Sequence, residues 1–316
     1  MKLHLAPMEG VVDWIVRDLL TAIGGIDQCV TEFIRVTDNL YPDHVFYDYC
    51  PELKTGGRTQ AGVPVLVQLL GGQPIPLAEN AARAAELGAP GIDLNFGCPA
   101  KTVNRHDGGA TLLKYPDRIH RIVEKVREYV PAHIPVSAKI RLGFEDPTTC
   151  LENAQAVEAG GASTLAVHCR TKTDMYRPPA YWDWVPKIQE KVKIPVVANG
   201  EIWTVDDFRR CREITGCDEI MMGRGAIANP FLFREIRFAE SAPQNRELLQ
   251  FVYGFFDRGE RELGPKYAQP RTKMWLAQIS KRNPQVRTLF DHLKTVGEPG
   301  LFRSSLLNSI ENSVSM

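Results

Sequence analysis

The stretch Gly91-Ile92-Asp93-Leu94-Asn95-Phe96-Gly97-Cys98-Pro99 carries a short apolar run directly into a loop of glycine, cysteine and proline. A cysteine inside a strand is most often a small core residue, but Cys98 comes where the strand gives way to a loop. A thiol at such a position can meet a substrate. Similar short apolar runs, each followed by a polar or glycine-rich loop, recur along the chain, and their number decides the fold.

Eight such runs alternate with amphipathic helical stretches up to about residue 238. This alternation is typical of βα units around a parallel sheet. We predict strands at Leu3–Ala6, Cys29–Ile34, Pro64–Leu70, Gly91–Asn95, Val136–Arg141, Thr164–His168, Pro195–Ala198 and Glu219–Met222. Eight strands in roughly 240 residues favour a TIM (β/α)8 barrel, which typically needs about 250. Periodicity alone leaves a doubly wound α/β sheet open, because both folds bury parallel strands.

The pattern changes after Phe238, where no strand-like run is left and three helices are predicted, at Arg246–Leu263, Arg271–Ser280 and Pro284–Lys294. We therefore expect a catalytic barrel at residues 1–240 and a small all-helical domain at residues 241–316. The whole chain balances 38 basic against 38 acidic residues, yet residues 266–294 hold seven Lys or Arg and one acidic residue. Any nucleic-acid surface must therefore be local, and this basic end is where we expect it.

The seven cysteines are scattered and form no Cys-x-x-Cys pair. This argues against a disulfide framework or a structural zinc site and favours a reducing compartment, so we expect no metal. The N-terminus reaches polar residues too soon for a signal peptide, and no later apolar run approaches membrane-spanning length. We expect a cytoplasmic protein without membrane contact, and nothing in the sequence calls for an obligate protein partner.

Polar, cationic and glycine residues follow all eight predicted strands. In a TIM barrel the C-terminal ends of the strands meet at one active-site face, so these residues should converge. In chain order they are Pro7-Met8-Glu9, Glu32 with Arg35, Gln68, Asn95 with Cys98, Lys139 with Arg141, His168 with Arg170, Asn199-Gly200-Glu201, and Gly223-Arg224. Any one of them alone would be an ordinary strand-end residue.

The loops after the seventh and eighth strands are the usual phosphate site of this fold, built from backbone N–H groups. Gln68 and Lys139 are expected on opposite sides of the barrel mouth, where an amide and an ammonium can contact the polar edge of a flavin ring. A cation there stabilises the anionic reduced flavin. The alternative for Lys139 is a lysine that snorkels from a strand end. The chain has no Gly-x-Gly-x-x-Gly fingerprint between a strand and a helix, so we expect no Rossmann nucleotide domain.

Taken together, these motifs resemble the tRNA-dihydrouridine synthases, flavoenzymes that reduce uridine in the D-loop of tRNA. The matches keep their order and spacing over the whole barrel. They are Ala6-Pro7-Met8-Glu9-Gly10-Val11, Thr31-Glu32-Phe33-Ile34-Arg35-Val36, Gln68-Leu69-Leu70-Gly71, Asn95 to Val103, Lys139-Ile140-Arg141, Val167-His168-Cys169-Arg170-Thr171, Asn199-Gly200-Glu201-Ile202 and Met222-Gly223-Arg224-Gly225. Four pieces look most like the bacterial C-type branch, which is associated with uridine 16 of the D-loop: the Met8-Glu9 pair, the Thr31-Glu32-Phe33 run with Arg35, the run from Asn199 to Trp203, and the run Arg271-Thr272-Lys273-Met274-Trp275.

The resemblance implies Cys98 as the general acid and a transient reductant, NADPH or NADH. It implies tRNA as partner, engaged through its D-loop and elbow. The FMN-binding residues it implies are Pro7, Met8, Glu9, Gln68, Lys139, His168, Asn199, Gly200, Glu201, Gly223 and Arg224. The tRNA contacts it implies are Arg35, Asn95, Arg141, Arg271, Lys273 and Trp275.

Reduction of the uracil C5–C6 double bond needs a hydride at C6 and a proton at C5. A cysteine thiol suits the second task, because its ordinary pKa of about 8.5 leaves it mostly protonated at neutral pH. Two alternatives stay open. One is an FMN barrel that acts on a free pyrimidine, as dihydroorotate dehydrogenase does; the other is a non-catalytic tRNA-binding protein. For Trp275 we consider both base stacking and core packing, and the basic helical segment is in many proteins only a solvated face.

Overall fold

The computed structural model describes residues 1–312, and in that part of the chain nine strands form one parallel sheet. The sheet order is β2-β1-β9-β8-β7-β6-β5-β4-β3, and β2 also pairs with β4, so the sheet closes on itself. The predicted TIM barrel is therefore confirmed. The strands are β1 Lys2–Leu5, β2 Gln28–Val30, β3 Ile34–Arg35, β4 Val65–Leu70, β5 Ile92–Asn95, β6 Val136–Gly143, β7 Thr164–Thr171, β8 Val196–Asn199 and β9 Glu219–Met222.

The second predicted strand is two strands in the structure, β2 and β3. Three residues lie between Val30 and Ile34, whereas only two lie between their partners on β4, Leu66 and Leu69. The extra residue interrupts the pairing and bends the chain, as a bulge does. Because β2 and β3 both pair with β4, they occupy one position of the barrel, which therefore has eight positions.

Helices surround the barrel, and two of the three helices predicted after Phe238, Arg246–Leu263 and Pro284–Lys294, agree with the structure to within one residue. The helix predicted at Arg271–Ser280 begins six residues earlier and contains Pro270, and the last helix was not predicted. None of the helices in residues 1–312 combines the length and apolar character needed to cross a bilayer. They are α1 Trp14–Ile23, α2 Asp43–Tyr49, α3 Pro74–Glu86, α4 Lys101–Arg105, α5 Pro116–Tyr129, α6 Cys150–Ala159, α7 Trp184–Gln189, α8 Val205–Thr215, α9 Arg224–Ala228, α10 Leu232–Phe238, α11 Asn245–Leu263, α12 Pro265–Ile279, α13 Pro284–Leu293 and α14 Pro299–Asn312.

The inside of the barrel is filled in layers. An apolar layer takes one residue from each of six barrel positions: Ala6, Val30, Leu66, Ala166, Val197 and Met221. Side chains alternate along a strand, so the residue two positions further on also points inward. On β4, β7 and β8 these residues are Gln68, His168 and Asn199, all of them buried. The barrel interior therefore changes from apolar to polar toward the C-terminal ends of the strands.

The C-terminal helices α11 to α14 pack against the barrel through α11 and α12. The indole N–H of Trp275 donates to the carbonyl of Ile227 at 2.8 Å, and its ring meets Phe251 and Phe255 edge-on, with centroids 5.3 and 4.8 Å away. The guanidinium of Arg271 binds Asp13, just before α1, at 2.7 Å. The junction thus combines an aromatic cluster with directed polar contacts. The division into domains at residues 1–240 and 241–316 stays a prediction.

We expect Trp275→Ala to lower the free energy of unfolding by about 3–5 kcal/mol, the usual cost of truncating a buried aromatic side chain. Trp275→Phe is the matched control: it keeps a ring in the cluster but leaves the Ile227 carbonyl without its donor, which costs about 1–3 kcal/mol. Chemical denaturation followed by circular dichroism measures both. Two equally small losses would contradict the role assigned to this junction.

Candidate active site

A cavity of about 390 Å³ lies at the C-terminal end of the barrel. The loops after β1, β5, β8 and β9 line it, together with residues of β4, β6 and β7, and α12 closes one side. All of the residues predicted for catalysis, FMN binding or tRNA binding line this cavity except Arg35 and Lys273; of the other predicted strand-end residues, Glu32 and Arg170 do not line it. Those that do are Pro7, Met8, Glu9, Gln68, Asn95, Cys98, Lys139, Arg141, His168, Asn199, Gly200, Glu201, Gly223, Arg224, Arg271 and Trp275.

Glycines bring the backbone close to one end of the cavity. Gly200 has a φ of +119°, and a Cβ there would lie 2.9 Å from a ring carbon of His168. A Cβ on Gly225 would lie 2.0 Å from the carbonyl oxygen of Ile202. Neither position accepts a side chain, so the loops after β8 and β9 present bare backbone beside the guanidinium of Arg224. This is the construction expected of a phosphate site.

Glu201 is the carboxylate at the centre of this end. Its Oε2 accepts from Arg170 and, at 3.4 Å, from Arg224, while its Oε1 accepts from the Trp203 indole at 2.8 Å. Lys139 and Arg141 line the same cavity. One carboxylate therefore faces several cations, and the remaining positive charge favours an anionic ligand.

The pKa values of Lys139 and His168 are both lowered at this site. Burial first, and then the charge of Arg141, lower the pKa of Lys139 to about 8 and hold the pKa of His168 well below its ordinary value. The Lys139 ammonium donates to Asn199 Oδ1 at 3.1 Å, and Asn199 Nδ2 donates to the Met221 carbonyl at 2.8 Å. The site thus holds a neutral imidazole beside a lysine whose protonation a ligand's charge can change.

The expectation that Gln68 and Lys139 lie on opposite sides of the mouth was wrong. They are on β4 and β6, and only β5 separates these strands. Gln68 pairs in register with Asp93, and Lys139 pairs with Asn95. In a barrel of eight positions, opposite walls are four positions apart, so this amide and this ammonium share one wall.

Cys98 lies in the loop that follows β5. Its carbonyl accepts from the Ala110 amide at 3.1 Å and from Asn104 Nδ2 at 3.0 Å, which ties both ends of the loop together. Burial raises the pKa of the thiol, so it is protonated at neutral pH. The other six cysteines are buried, and all seven are free thiols. Cys98 is the partly exposed one, and it faces the cavity.

Arg141 and Arg35 lie near Cys98 in different ways. Arg141 is 2% exposed and donates to the carbonyls of Gly97 at 2.8 Å, Thr171 at 3.0 Å and Met175 at 2.8 Å. It therefore joins the Cys98 loop to the loop after β7. Arg35 lies outside the main cavity and lines a neighbouring recess of about 190 Å³, which Val103 and residues 106–108 also line.

The three residues of α12 that were predicted to contact tRNA all bind other groups of the protein itself. Trp275 is 3% exposed, so of the two uses considered for it the structure shows packing, and the ring is not available for base stacking. Arg271 binds Asp13, and the Lys273 ammonium donates to the carbonyls of Val296 at 2.6 Å and Lys294 at 3.2 Å. Contact of Arg271 and Lys273 with tRNA stays a prediction. The exposed cations of this segment are Lys266, Lys281, Arg282, Arg287 and Lys294.

Tyr176 is a cavity residue that the sequence analysis missed. Its ring is 49% exposed and lies 5.3 Å from the guanidinium of Arg141 and 5.1 Å from that of Arg224. The strand β7 runs to Thr171, three residues past its predicted end, so this loop stands closer to the mouth than we expected. The sequence signal that could have identified Tyr176 is an aromatic residue among charged residues in a loop.

The cavity can therefore accept a ligand that has an anionic group at the glycine loops and a polar ring edge beside Lys139 and Gln68. A protonated thiol, Cys98, lines the same space. This donor set fits a phosphorylated ring cofactor such as FMN, together with a second molecule that needs a proton.

Comparison with known proteins identifies related sequences over nearly the whole chain. A family model described as dihydrouridine synthase matches residues 4–311. A protein named tRNA-dihydrouridine(16) synthase from Pseudomonas putida is 52% identical over 319 residues, which cover 99% of this chain and 98% of the relative. Proteins of the same name from Shewanella oneidensis and Ralstonia nicotianae are 50% and 45% identical and cover 93% and 99% of this chain, and 93% and 96% of their own lengths.

Solved structures with little sequence identity share the fold. An old yellow enzyme homologue from Zymomonas mobilis is 14% identical, with a TM-score of 0.53 over 77% of this chain and 90% of that one. A histamine dehydrogenase from a Rhizobium species is 15% identical, with a TM-score of 0.58 over 75% of this chain and 46% of that one. These likenesses concern the barrel alone.

We expect Glu9→Gln to reduce the pH dependence of stability. Loss of water around the Glu9 carboxyl, and then the charge of Glu32, raise its pKa from 4.5 to about 7. The unfolded chain therefore ionises first, and the stability that the protonated Glu9 contributes is lost as the pH rises from about 4.5 to about 7. Thermal unfolding of the ligand-free protein between about pH 5 and pH 8 measures this, with Glu124→Gln on helix α5 as control. Equal pH dependence of wild type and Glu9→Gln would contradict the assignment.

Proposed function

This chain belongs to the dihydrouridine synthase family, and from that premise we propose that it reduces a uridine in the D-loop of tRNA, at position 16, to 5,6-dihydrouridine. The cofactor is FMN, and NADPH or NADH is the reductant. Relatives at 45–52% identity that bear the name tRNA-dihydrouridine(16) synthase support the position.

One observation carries this proposal: the protonated thiol of Cys98 and the cluster of Lys139, Asn199 and the glycine loops line a single cavity. A proton donor and an anion-binding cofactor site must share a space if a hydride and a proton are to reach neighbouring atoms of one ring. A protein that only bound tRNA would have no use for either group.

The fit to FMN depends on two parts of the cavity wall. The bare backbone at Gly200, Gly223 and Gly225, with Arg224 beside it, would hold the phosphate. Gln68 and Lys139 would meet the polar edge of the ring, where a cation favours the reduced, anionic state. When bound, FMN would supply the hydride that C6 of the uracil needs.

Cys98 then completes the reduction by giving its proton to C5 of the uracil. Its raised pKa keeps the thiol protonated until this step. The thiolate that forms meets the backbone N–H of Ala100 and the charges of Arg141 and Arg35, the groups that favour the anion. A proton from water restores the thiol, so one uridine consumes one hydride and one proton.

The target base has to leave its place in the folded tRNA, at a cost of a few kcal/mol. Contacts with phosphates offset that cost. Arg282, one of the exposed cations of residues 266–294, lies 4.9 Å from the centroid of the Trp203 ring, which lines the cavity, and we expect these cations to make such contacts. Arg35, Asn95 and Arg141 are proposed to contact the target nucleotide, because Asn95 and Arg141 line the cavity with Cys98 and Arg35 lines the neighbouring recess.

We expect Gly225→Ala to abolish retention of FMN, because its Cβ would lie 2.0 Å from the Ile202 carbonyl oxygen and would displace the phosphate loop. Gly254→Ala is the matched control: the space around Gly254 within α11 is open, and this exchange in a helix stabilises by about 0.5–1 kcal/mol. Absorbance of the purified proteins after addition of FMN measures retention. Equal flavin content of the two variants would contradict the phosphate assignment.

We expect Cys98→Ala to keep FMN and tRNA binding but to lose most dihydrouridine formation, with a fall of about 10²–10⁴-fold, the usual contribution of a general acid. Mass spectrometric mapping of dihydrouridine in tRNA from a deletion strain, complemented with wild type or variant, measures the product and its position together.

Purified protein with free uracil as substrate separates the proposed function from its rivals. Turnover of the free base at the rate seen with tRNA would point to a free-pyrimidine enzyme. Wild-type protein that stays colourless with added FMN would overturn flavin chemistry. Unchanged dihydrouridine in the Cys98→Ala strain would overturn the acid assignment alone.

A further inference from the structure

We propose that Asp93 is a positioning residue that sets the orientation of two side-chain amides, Gln68 and Asn95, and through them the backbone that carries Cys98. This role rests on the proposed function in one respect, because the positioning is assigned to the proton-transfer step. The hydrogen bonds themselves do not depend on that function.

A chain of hydrogen bonds leads from the barrel interior to the Cys98 loop. Gln68 Nε2 donates to Asp93 Oδ2 at 2.7 Å, and Asn95 Nδ2 donates to Gln68 Oε1 at 2.8 Å. The backbone N–H of Gly97 then donates to Asn95 Oδ1 at 2.9 Å. Gly97 is the residue before Cys98, so three consecutive bonds join the buried carboxylate to the peptide next to the thiol.

The direction of every bond follows from the first acceptor. A carboxylate oxygen accepts, so Gln68 must turn its NH₂ group toward Asp93 and its oxygen toward Asn95. An amide oxygen also only accepts, so Asn95 must in turn present its NH₂ group to Gln68 and its oxygen to the Gly97 N–H. Reversal of either amide would set two acceptors or two donors against each other.

Asp93 is well placed to impose this order. Its side chain is 3% exposed, and its other oxygen, Oδ1, is held at 2.6 Å by the Ser137 hydroxyl. Burial raises the pKa of Asp93, with Ser137, Gln68 and Lys139 acting against the rise. A proton on Oδ1 would face Ser137, whose hydroxyl can also accept, so Oδ2 accepts from Gln68 in either protonation state.

The order matters at the cavity, because Gln68, Asn95 and Gly97 all line it. Each amide has one remaining N–H, and the chain determines where that donor points. The last bond holds the N–H of the Phe96–Gly97 peptide. The carbonyl of the next peptide, Gly97–Cys98, accepts from Arg141 at 2.8 Å. The thiol of Cys98 is thus placed by a network whose first member is five residues earlier in the same segment.

The test uses Asp93→Leu, which keeps a similar volume and removes the acceptor, in the holoenzyme with saturating FMN. We expect iodoacetamide to alkylate Cys98 about threefold faster or more, because the loop is held less firmly around this partly buried thiol. In rapid mixing, oxidation of the reduced flavin by tRNA should slow by about tenfold or more while reduction of the flavin by NADPH changes less. The other cysteines are buried, so alkylation of the folded protein reports Cys98.

Two variants separate positioning from general damage. Asp93→Asn retains an oxygen that can accept from Gln68, so it should restore both rates toward wild type. Ser137→Ala removes the bond to Oδ1 but leaves the bond from Gln68, so it should change neither rate. Where Asp93→Leu does not fold, Gln68→Met breaks the chain one bond later and must accelerate alkylation in the same way.

Alkylation at the wild-type rate in folded Asp93→Leu, or in Gln68→Met, would overturn the proposal. Equal effects of Ser137→Ala and Asp93→Leu would do the same, since that result would reflect loosening of the barrel interior. Wild-type protein that forms no dihydrouridine would sink the proposed function instead, and the alkylation rates would still decide whether Asp93 positions the loop.

Discussion

Closure of the parallel sheet between β2 and β4 is the constraint on which the site depends. A closed parallel barrel brings the carboxyl ends of all its strands to one edge, so the side chains beyond each strand meet whatever their distance in sequence. Several of them, among them Gln68, Arg141, His168 and Asn199, are buried there, and a buried polar group must find a partner. The residues around the cavity therefore bind one another and the backbone: Asn199 accepts from Lys139, Glu201 accepts from Arg224, and Arg141 joins the Cys98 loop to the loop after β7.

The charged and neutral groups lie at different parts of the cavity wall. Cations gather toward the loops after β8 and β9, where Glu201 alone offsets Arg170 and Arg224, and His168 stays neutral because burial and its neighbours oppose a further positive charge. On the wall of β5 the thiol stays protonated for the related reason that burial disfavours an anion. Burial thus keeps the His168 imidazole neutral and the Cys98 thiol protonated, at different positions of the same barrel.

The sequence predicted the barrel and nearly all of the cavity wall, because both follow from repetition: apolar runs mark strands, and whatever comes next lies at the mouth. It failed where position depends on packing. One extra residue splits the second strand and cannot be counted before the register is known. The shared wall of Gln68 and Lys139 follows from strand adjacency. Base stacking and core packing both stayed open for Trp275, because its burial depends on α11 and the barrel. Tyr176 stands on a loop whose strand runs longer than its apolar pattern.

Helix α12 has one face in the junction with the barrel and one in the cavity wall. Trp275 belongs to both, since its indole holds Ile227 while its ring borders the space where a ligand is expected. Whatever fills that space therefore binds the docked arrangement better than one in which the C-terminal helices have moved away. By mutual linkage, occupancy of the cavity and attachment of the helices strengthen each other. The cofactor would then stabilise the attachment of the C-terminal helices to the barrel. The surface that meets a macromolecular substrate would be fully assembled only when the cofactor is bound.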